Sequence, residues 1–335
     1  MRLQRAAGNR AAVQMVASSR LRLPERVLAR DYEDEAHKAG RFDDPKVQAV
    51  YDKRGPGTER QRLALGVIDF LPATPPAGKW AHIEWKDIAA DAAQRVFDAT
   101  AFDQASLDVC GTAATLNVAV RIDPVQYARL VLECYSRGTL DDSEFNSELL
   151  DTTPQPGMAV VDWMLMSAMQ SRANDSYTFN GRPGGHAGTT FKQDRWELRA
   201  YAGAVETDTI DAEDDEDVIP ATKKVNALLS SHPNEVEVLI SVNSDVMTNP
   251  ASTAHGHNHV VALTKPATIT EDVRPALHAP PLGLFGPQQR RHATRGKVSA
   301  DLFTWGKILT WTGSVAQWQQ MVHAFIVGST RKGLL

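Results

Sequence analysis

The sequence predicts an α+β fold, with a helical N-terminal half and antiparallel strands gathered towards the C-terminus. Three observations carry this reading. Apolar residues recur at helical spacing over 85–102, 112–120, 124–137 and 159–173. Short β-branched runs follow late in the chain, at 236–242 and 259–264. Helices that precede a run of strands, rather than alternating with them, favour α+β over a parallel α/β sheet.

In chain order, residues 1–30 hold seven arginines and one glutamate, and the charge turns acidic by residue 34. Residues 1–34 are therefore set apart as a leader and linker. The next stretch, 35–78, reads as helical pieces broken at Gly40, Pro45 and Gly55-Pro56-Gly57, and it ends in the proline-rich 71–78. The main domain is expected at 79–335. Its clearest helix starts at Asp123-Pro124, an N-cap acid followed by a proline at the first helical position, and stops at Gly138. The Met and Trp stripe of 159–173 reads as core. The glycine-rich 180–189 has no phosphate-loop pattern. Further helices are expected at 218–231 and 314–324, and further strands at 297–306 and 325–327, with a long proline-rich loop at 265–296.

Composition narrows the function classes. Of 335 residues, 42% are hydrophobic and 23% charged, an ordinary globular balance. No apolar run reaches the length of a membrane span, and no signal peptide is visible. Two cysteines, Cys110 and Cys134, are too few for a disulfide framework or a cysteine-rich zinc site. Residues 206–217 hold eight acids and no base, more than the whole net charge of −5. This run reads as a solvated surface loop, and no basic face for nucleic acid is implied. No cofactor pattern is present.

The stretch most suggestive of chemistry is Gln104-Ala105-Ser106-Leu107-Asp108-Val109-Cys110-Gly111-Thr112. Small apolar residues follow it, so Cys110 would open a buried helix. Unpaired N–H groups and the helix dipole at that end favour a thiolate. Gln104, six residues earlier, could direct its amide at a carbonyl oxygen under attack. Cys134 lies within an amphipathic helix and reads as a structural thiol. Downstream, His255-Gly256-His257-Asn258-His259 leads into an apolar strand, and an imidazole at a strand start can take and return a thiol proton. The alternating His255, His257 and His259 also fit a metal-ligand pattern, which would leave Gln104 and Cys110 unexplained. The residue that orients His259 stays open. Chemistry favours Asp301, whose carboxylate would steady an imidazolium; position on the 297–306 strand favours Thr304; Asp272 is a third candidate.

This order resembles the papain-like cysteine protease superfamily: a glutamine, six residues on a cysteine followed by Gly111, a helix, and a late histidine on a strand. The resemblance covers the frame from about residue 85 to 328. It implies an oxyanion role for Gln104, the nucleophile for Cys110 and the base for His259. Papain itself has a tryptophan after its cysteine; Gly111 here is closer to divergent bacterial branches. The resemblance implies a cysteine protease, or a deamidase or acyltransferase on the same frame, acting on a protein substrate.

A second resemblance sits in the leader. Leu3-Gln4-Arg5-Ala6-Ala7-Gly8-Asn9-Arg10-Ala11 looks like a short segment near the N-termini of proteins associated with bacterial extracellular contractile injection systems. It implies a toxin or effector made in the bacterial cytoplasm, loaded into the tube or baseplate of such a particle and delivered to a target cell. The alternatives are a non-enzymatic structural or cargo-adaptor protein of the particle, or a metal-dependent hydrolase built on the three histidines.

Overall fold

A computed structural model describes residues 78–140, 143–173, 179–183, 189–212, 215–233, 235–249, 252, 258–271 and 296–335, together with 61, 64, 65 and 68. The leader 1–34, nearly all of 35–78, His255, His257, Asp272 and most of the 265–296 loop lie outside them. The chain divides into two compact units between Ala204 and Val205. Helices make up most of the first and a sheet dominates the second, so the fold is mixed helix and sheet, as the order of elements implies.

The first unit holds α1 (Trp85–Phe97), α2 (Cys110–Ile122), α3 (Pro124–Arg137), α4 (Val160–Ala173) and α5 (Phe191–Tyr201), with a short hairpin of β1 (Thr139–Leu140) and β2 (Ser143–Glu144). The expected 85–102 helix stops at Phe97. Asp98 ends it and then caps a single 3₁₀ turn, Ala99–Ala101, by accepting from the Thr100 amide at 3.1 Å. A short polar side chain that captures a nearby N–H competes in this way with helix continuation. At α3 the Asp123 carboxylate accepts from the Val125 and Gln126 amides, and Gly138 takes φ 67° to close the helix. Both α2 and α4 are buried on every side, over 111–120 and 161–170. That burial is why their sequences show no polar face. The helix α5 is not among the sequence expectations. Its capping box, Thr190 with Gln193, sits before a polar-looking sequence.

The second unit is built on one antiparallel sheet. Its strands are β3 (Glu206–Asp211), β4 (Val236–Val242), β5 (His259–Leu263), β6 (Thr268–Glu271), β7 (Gly296–Thr304), β8 (Lys307–Ser314) and β9 (Val322–Ser329). The order is β3-β9-β4-β5-β7. Strand β8 pairs β7 from Lys297 to Thr304, and the other edge of β7 is shared by β6 and β5. Val236, Val238, Ile240 and Val242 alternate along β4 into the same core as Val261, Leu263, Leu302, Phe325 and Val327. Helices α6 (Asp215–Ser231) and α8 (Val315–Met321) bring Val218, Val225 and Trp318 to that core; the short α7 (Ser244–Thr248) adds Val246.

Two expectations are corrected in this unit. The acidic run is not a loop: Glu206–Asp211 pairs in full register with β9, and α6 begins at Asp215. Strand β9 is apolar and needs a partner on both edges, and extended backbone supplies it whatever the side chains. Glu206 gains a further role there, because its carboxylate accepts from the Gly333 and Leu334 amides. The expected 314–324 helix ends at Met321, because Val322 onward is drawn into pairing with β3 and β4.

Candidate functional site

Cys110 is the first residue of α2, after Val109 as its non-helical neighbour, and is partly exposed. Neither cysteine forms a disulfide. Cys134 is fully buried within α3, and burial pushes its thiol well up, which suits an inert core residue. The approach to Cys110 is tied down from inside. Leu107 and Val109 are buried, Asp108 is exposed, and the Leu107 amide closes a turn onto the Gln104 carbonyl at 2.9 Å. Ala105 occupies that turn at φ 48°, a left-handed conformation that costs a non-glycine residue about 1 kcal/mol. The turn persists because neighbours fix it: Ala105 donates to Asp103 Oδ1 at 2.9 Å, and the Gln155 amide donates to the Ser106 hydroxyl. Gln104 itself is buried.

Beneath the turn lies a buried ion pair that sequence reasoning missed. Arg95 on α1 donates Nε and Nη2 to the two oxygens of Asp162 on α4, at 2.8 and 2.7 Å. This is the fork geometry in which guanidinium and carboxylate bind most strongly. Asp162 Oδ2 also accepts the Asp103 amide at 3.1 Å, so the pair holds the backbone next to Gln104. Burial raises the Asp162 carboxyl, and Arg95 draws it back down.

Gly111 follows the cysteine for a local reason. A methyl there would collide with Thr189 Oγ1 and Asp194 Oδ1. Asp194 and Glu197 of α5, both fully buried, lie against the first turn of α2, and Thr189 donates to Asp194 Oδ1 at 2.5 Å. Burial pushes Asp194 up to about 7 and Glu197 up to about 8, the latter with help from the Asp194 charge.

In the second unit His259 is the first residue of β5, opposite Val242. The preceding Asn258 is held at both ends: its amide donates to the Val242 carbonyl, and its side-chain oxygen accepts from Ser244. His259 Nε2 and the Thr304 hydroxyl share a hydrogen bond of 2.7 Å. Asp301 does not meet the imidazole. Its carboxylate takes the Lys265 ammonium at 2.7 Å and the Thr310 hydroxyl at 2.8 Å. The reason is strand parity. Residues 301 and 304 are three apart on β7, so they face opposite sides of the sheet.

Trp305 then stacks on the imidazole, with centroids 4.8 Å apart and planes 17° from parallel. It sits at φ 46° and Gly306 at φ 73°, a two-residue hairpin turn between β7 and β8 with positive φ at both positions. Burial pulls His259 down to about 4, so it is neutral at pH 7. An unfolded histidine titrates near 6.5, so this residue should lower the unit's stability as pH falls from about 6.5 to about 4. Thr304→Val keeps the shape and removes the hydroxyl. It is expected to cost about 1–3 kcal/mol in urea denaturation by leaving a buried ring nitrogen unpaired. An unchanged midpoint would show that the hydroxyl contributes nothing there.

Among the described residues no group of three or more His, Cys, Asp or Glu side chains is arranged to hold a metal, and His255 and His257 lie outside them. No described helix is long and apolar enough to cross a membrane. No family model matches the chain, and no curated protein or solved structure matches it.

Proposed function

We propose that the chain is a papain-like thiol hydrolase, with Cys110 as nucleophile and His259 as proton carrier. The observation that carries the reading is Cys110 at the first turn of a buried helix, behind a loop fixed from below by Asp162. The N–H groups at that helix end favour a thiolate. Because Thr304 occupies Nε2, proton exchange falls to Nδ1 of His259. A neutral imidazole partnered by a hydroxyl suits a general base that removes the thiol proton as attack begins, rather than a standing imidazolium. The thiolate then attacks an amide carbonyl. Gln104 and the Cys110 amide receive the oxyanion, and His259 returns the proton to the leaving amine. Water releases the acyl group in a protease or deamidase; an amine does so in an acyltransferase.

Delivery as a toxin by a contractile injection particle belongs to the same proposal, and it rests on residues 3–11 alone. The test of the chemistry is iodoacetamide labelling of the intact protein, followed by peptide mapping, beside Cys110→Ala. Fast labelling of Cys110 at about pH 6, against slow labelling of Cys134, is the expected result. A Cys110 as slow as Cys134 would end the thiol-hydrolase reading.

A further inference from the structure

The acid pair on α5 has no place in the reaction just described, yet it touches the two residues that follow Cys110. Asp194 fills the space that a side chain on Gly111 would need. Glu197 Oε1 lies 3.0 Å from the Thr112 hydroxyl, which also lies 3.2 Å from Gln170 Oε1 on α4. One hydroxyl proton serves two acceptors poorly. Turning the Gln170 amide removes that conflict without a proton, because its Nε2, otherwise buried without a partner, then donates to Thr112, and Thr112 donates to Glu197. Asp194 Oδ2 is buried without a hydrogen-bond partner, and only the neutral hydroxyls of Thr112 and Thr115 favour a charge on the buried Glu197. A charged carboxylate in that state is costly, and a proton on the pair relieves it.

No cation neutralises the pair among the described residues. The charged and titratable groups on the packed helices serve other partners or are exposed, and on α5 itself Lys192 and Arg199 are exposed and Arg195 is half-buried. On α4, Asp162 binds Arg95, while Arg172 donates to the Leu140 carbonyl and lies over the Trp196 ring. On α2, Arg121 donates to Asn117. On α3, Glu133 accepts from Thr139, the Tyr127 phenol lies in the field of Arg95 and Asp162, Cys134 is buried, and Arg129 and Arg137 are exposed. Cys110 is thus the ionisable side chain on the first turn of α2, one residue before the glycine that Asp194 packs against.

We propose that Asp194 and Glu197 are positioning residues that act as one proton-holding pair, seating the first turn of α2 while they keep a proton and suppressing the Cys110 thiolate when they lose it. The proposal rests on Cys110 as the reactive thiol. A carboxylate placed against the next residue opposes a negative sulfur, so the thiol and the pair titrate as a coupled set.

The experiment is the rate of Cys110 labelling by iodoacetamide between about pH 5 and about pH 9, for the full chain and for Asp194→Asn and Glu197→Gln. In the wild type the rate should climb over a broader pH range than one proton allows. In either variant one carboxyl of the coupled set is gone, so the climb should narrow and its alkaline half should shift to an apparent value about one unit lower. A purely structural role would change folding without reshaping this profile. The wild-type curve needs no variant, so misfolding of either substitution leaves the test intact. A one-proton or flat wild-type profile, or folded variants with the wild-type shape, would overturn the proposal while leaving a reactive Cys110 in place. Slow labelling at every pH would instead remove the thiol-hydrolase reading, and this proposal with it.

Discussion

Arg95→Met should destabilise the first unit by about 3–5 kcal/mol. The side chain stays long and apolar, so little packing is lost. What remains is the Asp162 carboxylate, fully buried and stripped of both guanidinium bonds. It must either stay charged without compensation or take up a proton that it gives up easily in water. Urea denaturation followed by circular dichroism measures the loss, which should shrink at low pH, where Asp162 protonates. Arg95→Met with Asp162→Leu separates stability from positioning. The double variant should recover most of the stability, because an apolar pair of similar volume replaces a buried ion pair at little cost. It should not recover the latch, since the Asp103 amide loses its acceptor. Hydrogen exchange at the 103–107 turn would then be faster than in the wild type. Equal exchange would show that the turn holds itself.

The second large effect is on pH dependence. Asp194 and Glu197 hold their protons to about 7 and about 8, whereas unfolded carboxyls release theirs near pH 4. Between those limits the folded state binds more protons than the unfolded one. Stability is therefore fully present below about pH 4, falls as pH rises to about 8, and levels off above. Glu197→Gln removes one of the two groups and keeps the shape. It should reduce the loss between about pH 5 and about pH 8 by on the order of a few kcal/mol. The reading is the shift of the urea midpoint at the two pH values. An equal shift in variant and wild type would mean that Glu197 carries no proton in the folded state.

These carboxyls also explain what the sequence does not reveal. The inner face of α5 is Asp194, Glu197, Leu198 and Tyr201, at ideal helical spacing, but half of it is acidic. A search for apolar periodicity reads that face as polar and passes over the helix. Only the capping box, Thr190 with Gln193, marks it in the sequence. By contrast α3 is legible because both its ends carry local signals, Asp123-Pro124 and Gly138, that act through their own backbone. The same holds for Cys110, whose place at the head of α2 follows from the small apolar run behind it. The partner of His259 was not decidable in this way. Chemistry points to Asp301, but the pairing depends on the parity of β7 against β5, set by the register that puts Phe303 opposite Ala262. Strand β3 was hidden for a related reason: what makes Glu206–Asp211 extended is the open edge of β9, more than a hundred residues away in sequence.

The parity of β7 also limits how this protein can change by descent. Residue 301 can vary freely in chemistry and never reach the imidazole, because no side-chain replacement moves it to the other face of the sheet. A lineage that acquires a carboxylate or an amide beside His259 has a direct route at position 304, the place of the hydroxyl it already uses. Gaining or losing a single residue at the 305–306 turn would exchange the faces of β8 and leave Thr304 beside the imidazole, because β7 takes its register from β5. Among related sequences, the register of β7 against β5 should be kept more strictly than the residue at 301.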